Sequence, residues 1–363
     1  MPISAVLLGL LSFGWQKYFF YPWIFLGTIA LGANKAASEL IGADTQHYYK
    51  PIYSCDVVPE DYGYRLFSDA LKNLSGCNPE YGLFLEACAF FLLSAFLFYK
   101  IEKNTYFTDK KQKKIATICL SVYAGVIFLN YFLSGSKQAF SLILILISSH
   151  YYFLNQRKYS RIFIMLAAAS FHSIGVISVM YIVGRYLMKT VPTVVFMTAC
   201  LVAAYFFYNF ENIVTYNFLL SNQYTQKVIS YSELYSQDKT EFDIINVLRI
   251  VVFTTFSLIL FAFYKRSYPV HEAAIMFLLV TFMLTYLVLI GFFGYLTTTR
   301  VLLVAQAVFL LSIFYQKNIV FIFLATLLHM LLFDSGLYNF IAYSYAGQIS
   351  FDQALLFVFP KSF

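Results

Sequence analysis

Long apolar runs alternate with short polar segments along the whole chain. An α-helix rises about 1.5 Å per residue and a bilayer core is about 30 Å thick, so a run of about 20 residues can cross it. The pattern predicts ten spans, at about 2–13, 18–33, 81–99, 115–133, 138–154, 191–210, 245–264, 273–290, 301–315 and 319–333. The predicted fold class is an all-α polytopic integral membrane protein, with residues 1–363 forming a single transmembrane domain.

One further apolar run, residues 161–189, is longer than one crossing needs and too short for two. His172 lies in its middle between Ser170 and Ser173, and Gly175 follows; hydroxyl groups and glycine ease backbone bending. A broken helix persists in a membrane only where protein or a water-filled cavity receives its freed backbone groups. We therefore predict a re-entrant helical hairpin with His172 near its tip.

The distribution of positive charge supports this topology. The connection 100–114 holds six lysines, which marks it as cytoplasmic. A single crossing by the 161–189 run would invert the positive-inside bias in the later segments, whereas a re-entrant hairpin restores it. In the hairpin topology the two long polar loops, 34–80 and 211–244, lie outside together with both termini.

Composition excludes a soluble globular domain. The chain is 60% hydrophobic and 12% charged, with a mean hydropathy of +0.70. The net charge of +7 comes from basic residues between apolar runs, without interleaved aromatics, so no nucleic-acid partner is expected. Cys55 and Cys77 share the first long loop, where either a disulfide or two free thiols fits the sequence.

Cationic side chains on the predicted outer face are the first candidate chemistry. An ionisable group near membrane depth marks a functional site by default, and phosphate or pyrophosphate is the natural partner of clustered cations. The alternative is that each side chain snorkels to lipid headgroups or pairs with a loop acid. The residues concerned are Arg65, Lys137, Arg249 and Arg300.

Two acid–base candidates accompany these cations. Asp44 and His47 are three residues apart, close enough for a general base with an orienting partner, although a helix cap or a metal pair would use the same spacing. Two ligands alone do not make a metal site, and no metal is expected. His172 is the other candidate base, or else a satisfied polar kink in a packed helix.

Short motifs in a fixed order carry a resemblance to a known family. They are Gly42-Ala43-Asp44 with Tyr48, Ser136-Lys137-Gln138-Ala139, Ala168-Ala169-Ser170-Phe171-His172-Ser173, and Arg300. Over about residues 1–333 the chain resembles the EpsG group within the Wzy-type polysaccharide polymerases. The family usually has arginine where this chain has Lys137, which keeps the charge but loses the bidentate fork.

The resemblance implies a GT-C-like glycosyltransferase bundle in the bacterial inner membrane, with its active site facing the periplasm. The implied substrate is an oligosaccharide repeat unit on undecaprenyl pyrophosphate, used in O-antigen, capsule or exopolysaccharide synthesis. No cofactor is expected. The expected partners are the lipid bilayer, a chain-length regulator and a flippase.

The hypothesis for the site assigns roles to seven residues. Lys137, Arg249 and Arg300 bind the pyrophosphate, and Asp44 or His172 accepts the proton of the acceptor hydroxyl, while His47 and Arg65 support them. An O-antigen-type ligase would use the same donor chemistry on another acceptor. A flippase or transporter for lipid-linked glycans is the alternative outside the enzymes.

Overall fold

The computed structural model describes residues 49–104, 109–127, 136–154 and 158–172. It also describes positions 175, 198, 304, 307, 308, 311, 314, 315, 319, 320, 322–324, 326 and 327. This part of the chain is all-helical and contains no strand, as predicted. Its helices are α1 (Lys50–Tyr53), α2 (Tyr62–Ser75), α3 (Pro79–Asn104), α4 (Lys110–Ile127), α5 (Ser136–Phe153) and α6 (Lys158–Phe171).

Helix α3 matches the predicted span 81–99. Within the described residues, its segment Pro79–Ile101 is the one helix long and apolar enough to cross a membrane. At 1.5 Å per residue this segment is about 35 Å long, against a bilayer core of about 30 Å. The count of ten spans stays a prediction.

Helices α5 and α6 fall on the apolar runs predicted from the sequence, at 138–154 and at the start of 161–189. Helix α6 ends at Phe171, so the helix breaks where the sequence analysis expects the break. Its apolar part, Tyr159–Phe171, is only about 20 Å long, which is short for a full crossing. The return arm of the predicted hairpin lies outside the described residues, and the re-entrant topology stays a prediction.

Helix α2 lies within the segment that the sequence analysis treats only as a polar loop. It begins after Asp61, whose backbone is extended, and ends at Gly76, whose φ of 60° suits glycine. The Gly76 N–H donates to the Lys72 carbonyl and closes the last turn. Asn78 then caps the next helix, because its Oδ1 accepts the Tyr81 N–H at 2.9 Å.

A disulfide joins Cys55 and Cys77, which flank helix α2. The alternative that the sequence left open is thereby decided in favour of pairing. Both cysteines have a left-handed backbone, with φ of 68° and 61°, a conformation that costs a non-glycine residue about 1–2 kcal/mol. The bond and the packing of α2 hold the chain in these two turns.

The first three helices share one aromatic-rich core. Tyr49, Ile52, Tyr53, Tyr64, Leu71 and Leu83 are buried together, with Phe67, Leu85 and Phe171 packed against them. Gly82 allows α3 to approach α1 closely, since a Cβ there would lie 2.6 Å from Cδ1 of Tyr53. The polar segment before α3 is therefore a folded cap of helices, which we call the α1–α2 cap (residues 49–78).

Helices α5 and α6 pack antiparallel with a defined register. Ser141 Oγ donates to the Ala168 carbonyl at 2.9 Å, and Ser148 Oγ donates to the Arg161 carbonyl at 2.9 Å. The two contacts lie seven residues apart on both helices, in opposite directions. The pair therefore keeps one register along its length, because both helices rise equally per residue.

The chain divides into two compact units, residues 1–179 with 310–363, and residues 180–309. All six described helices belong to the first unit. In the second unit the described positions include Val304, Ala307 and Val308, which are buried. The single transmembrane domain stays a prediction.

Candidate functional site

Lys137 lies in the first turn of α5, at the end of the helix that meets the α1–α2 cap. Its Nζ donates to Oδ2 of Asp61 at 2.7 Å, and its backbone N–H donates to the Tyr49 hydroxyl at 3.3 Å. The side chains of Lys137 and Asp61 are 16% and 22% exposed. The ion pair is thus sheltered by protein and still reachable from solvent.

Asp61 stands at the N-cap position of α2 but makes no side-chain cap hydrogen bond. Its carboxylate instead reaches Lys137, 76 residues away in sequence. Two other ion pairs are local to α2: Asp69 lies 3.1 Å from Lys72 and 3.9 Å from Arg65. The Asp61–Lys137 pair, by contrast, joins the cap to helix α5.

A second polar contact connects the α1–α2 cap to helix α3. The Tyr64 hydroxyl donates to Oε1 of Glu86 at 2.6 Å, and the Tyr53 hydroxyl lies 3.5 Å from that of Tyr64. Glu86 belongs to α3 and is fully buried, as are both tyrosines. Burial, reinforced by the charge of Glu86, raises the pKa of both Tyr53 and Tyr64 well above 10.

Helix α2 also touches the end of α6 through Gly63. A Cβ at this position would lie 2.9 Å from the carbonyl carbon of Ser170, so only glycine allows the approach. Beside this contact the ring of Phe171 packs against Tyr64 and Phe67, with centroids 6.3 and 5.7 Å apart. The start of α2 therefore bridges Lys137 on α5 and the residues just before His172 on α6.

His172 is the first residue beyond α6, and its N–H still donates to the Ala168 carbonyl at 3.3 Å. The Gly175 N–H donates to the His172 carbonyl at 2.8 Å, which closes a tight turn. Lys137 lies four residues before Ser141 on α5, and His172 lies four residues after Ala168 at the end of α6. Because the helices are antiparallel and Ser141 contacts Ala168, this register brings Lys137 and His172 to one level. His172 is half-buried at this level.

An aromatic layer lies beneath this end of the helix pair. Phe67 and Phe140 have ring centroids 4.7 Å apart, Phe140 and Phe171 5.9 Å, and Phe90 and Phe140 5.5 Å. Close aromatic packing of this kind is rigid and excludes water. The polar groups above it therefore sit on a firm apolar base.

The structure places three of the seven predicted site residues. Lys137 and His172 come to the same end of the α5–α6 pair, while Arg65 projects from the outer side of α2 with its side chain 54% exposed. Asp44, His47, Arg249 and Arg300 lie outside the described residues, and their roles stay predictions.

Sequence reasoning missed Asp61 and Glu86 as site residues. Asp61 is one acid among several in the predicted polar loop 34–80, and its partner is distant in sequence. A signal for Glu86 existed, because an acid seven residues inside an apolar span is expensive unless it has a partner. Among the described residues, no group of three or more His, Cys, Asp or Glu side chains is placed to hold a metal ion.

The all-helical architecture of the described residues and the membrane-length α3 are those of a class, the helical membrane proteins. The model of the EpsG family matches residues 18–346, and the chain belongs to this family of polysaccharide polymerase-like membrane proteins. No curated protein and no solved structure matches the chain.

Proposed function

We propose that the protein is a Wzy-type polymerase that joins undecaprenyl-pyrophosphate-linked oligosaccharide repeat units by glycosidic bonds. Family membership supports a polysaccharide polymerase-like role. The observation that carries the finer proposal is the Asp61–Lys137 ion pair, sheltered but partly exposed, at the end of α5 that is level with His172 on α6. A cation and a titratable group are the side chains that this transfer needs.

The reaction is a substitution at the anomeric carbon of the donor glycan. The acceptor hydroxyl oxygen forms a bond to that carbon, the bond from the carbon to the pyrophosphate oxygen breaks, and lipid pyrophosphate leaves. Lys137, with Arg249 and Arg300, stabilises the negative charge on the leaving group. His172 or Asp44 takes the hydroxyl proton as general base.

Two features support an active site on the periplasmic side of the inner membrane. The Cys55–Cys77 disulfide flanks the start of α3, and disulfides persist in oxidising compartments. The opposite end of α3 and the start of α4 carry Lys100, Lys103, Lys110, Lys111, Lys113 and Lys114. Such a lysine cluster marks the cytoplasmic side, and the Asp61–Lys137 pair lies at the disulfide end.

Deletion of the gene and complementation with Lys137→Ala test the proposal. The polymerase proposal predicts single repeat units at the cell surface and no long polymer in both strains. Lipid-linked polymer that is never attached to its final acceptor would indicate a ligase, and repeat units retained inside the cell would indicate a flippase. Polymer of normal length from Lys137→Ala would remove Lys137 from the site.

A further inference from the structure

The Asp61–Lys137 pair has the properties of an exchangeable contact. Its two atoms are 2.7 Å apart, but both side chains keep part of their surface exposed, so an anion in solution can reach the ammonium group. Desolvation of the two charges offsets much of the attraction in a sheltered ion pair, so the net contribution of the pair is small. A ligand with more negative charge than one carboxylate can therefore compete for Lys137.

The surroundings leave the lysine in place when its counter-ion changes. The Lys137 N–H donates to the Tyr49 hydroxyl, and α5 continues through buried residues from Gln138 onward, so the helix start does not depend on the side-chain pair. Asp61 does not use its carboxylate to cap α2, and the helix keeps its Tyr64–Glu86 anchor if the carboxylate moves. Exchange therefore needs only side-chain rotation.

We propose that Asp61 is the exchangeable counter-ion of Lys137, which holds the ammonium group in the empty site and yields it to a diphosphate. The substrate class rests on the proposed function, whereas the exchange rests on the geometry. Asp61 would make Lys137 selective among anions. A singly charged anion gains little binding free energy by replacing a carboxylate, and a diphosphate gains more. It is a specificity-determining residue that acts through Lys137.

The test is calorimetric titration of the full-length protein in lipid nanodiscs with inorganic pyrophosphate. Asp61→Asn removes the competing charge and keeps the size, so pyrophosphate should bind about tenfold more tightly than to the wild type. The gain should vanish in the double variant with Lys137→Gln, because the two residues act on one another. Inorganic phosphate should gain less than pyrophosphate.

Asp69→Asn is the matched control. Asp69 also pairs with a lysine, at 3.1 Å from Lys72, so its removal changes the net charge of the same helix equally. If Asp69→Asn tightens pyrophosphate binding as much as Asp61→Asn, the effect is general electrostatics and the proposal is wrong. Unchanged or weaker binding to Asp61→Asn, or no binding to any form, also overturns it.

A measurement on the unmodified protein covers the case in which Asp61→Asn does not fold. Pyrophosphate should slow acetylation of the Lys137 amine at least several-fold, as measured by mass spectrometry, and should leave Lys72 unaffected. Equal rates at Lys137 with and without pyrophosphate would contradict the exchange.

Turnover separates this inference from the proposed function. Pyrophosphate exchange at Lys137 without any polymer formation would keep the counter-ion and reject the polymerase. Polymer formation with an unchanged pyrophosphate affinity in Asp61→Asn would do the reverse. If Asp61 were instead the general base, Asp61→Asn would lower kcat by about 10²–10⁴ with unchanged pyrophosphate affinity, which also contradicts the proposal.

Discussion

The two ends of the α5–α6 pair carry similar residues in different surroundings. At one end Lys137 faces Asp61 and lies level with His172. At the other end Arg161 lies over the ring of Tyr152, 5.4 Å from its centroid, and the His150 ring hydrogen-bonds the Tyr315 hydroxyl. Each end thus has a cation, a histidine and a tyrosine, which is Tyr49 at the Lys137 end.

Burial and charge separate the two ends. His150 is 1% exposed and Tyr315 closes over it, so no substrate can reach this histidine. His172 is half-buried at the level of the Asp61–Lys137 ion pair, which remains partly exposed. Residue type alone does not define a site; a reachable titratable group next to a counter-charge does.

The largest expected effect comes from replacing each of the two histidines, His172 and His150, in turn. His172→Gln should lower kcat by about 10²–10⁴ if His172 is the base, with donor binding retained. His150→Gln should leave the polymerisation rate within a few-fold. The check is polymer formation by purified protein, and equal losses in both variants would erase the distinction between the ends.

Removal of the disulfide should loosen the site end and spare the other. Cys55→Ala with Cys77→Ala, which frees a loop with a sequence separation of 22, should cost about 3 kcal/mol in the free energy of unfolding of the cap. Cys88→Ala, which removes a free thiol, is the control. Proteolysis of the cap in nanodiscs measures the effect, and resistance equal to the wild type would argue against a holding role.

The contact between α2 and α6 gives the next effect. Gly63→Ala places a methyl group against the Ser170 backbone, and overpacking of this kind costs about 1–3 kcal/mol. Ala70→Ser, on the exposed side of the same helix, should change the unfolding free energy by less than about 0.5 kcal/mol. Thermal unfolding compares them, and equal stabilities would mean that α2 does not press on α6.

The buried tyrosine contact predicts an alkaline limit of cap stability. Because burial raises the pKa of Tyr64 above 10, folding favours its protonated form. This stability is fully present below pH 10 and is lost as the pH rises toward the folded pKa. Tyr64→Phe should cost about 1–3 kcal/mol at neutral pH and flatten the alkaline decline. Tyr81→Phe, at an exposed ring, should reproduce the wild-type profile; an identical profile for Tyr64→Phe would contradict the assignment.

The smallest effect is expected at Arg65. Its pair with Asp69 is long and exposed, so Arg65→Ala should change the unfolding free energy by less than about 0.5 kcal/mol. If Arg65→Ala keeps its stability but makes less polymer, the loss of polymer would then report on substrate binding. A stability loss above 1 kcal/mol would show that Arg65 is structural.

Local patterns predicted the apolar helices well, and non-local contacts explain what was missed. The spans 81–99 and 138–154 lie on α3 and α5 because long apolar runs have few alternatives in a membrane. The predicted polar loop 34–80 contains helix α2, although Tyr64, Leu71 and Ser75 recur at helical spacing between Asp61 and Gly76. The arrangement of the candidate site could not be predicted in this way, since no local pattern encodes a pair 76 residues apart or the register of α5 and α6.

The most direct measurement is turnover of a synthetic undecaprenyl-pyrophosphate-linked repeat unit by the purified protein, with chain length and released lipid pyrophosphate measured together. The wild type and the His150→Gln control should produce polymer and release lipid pyrophosphate at similar rates. Lys137→Ala and His172→Gln should produce polymer and lipid pyrophosphate far more slowly. Wild-type protein that releases no lipid pyrophosphate, or site variants as active as the control, would contradict the account.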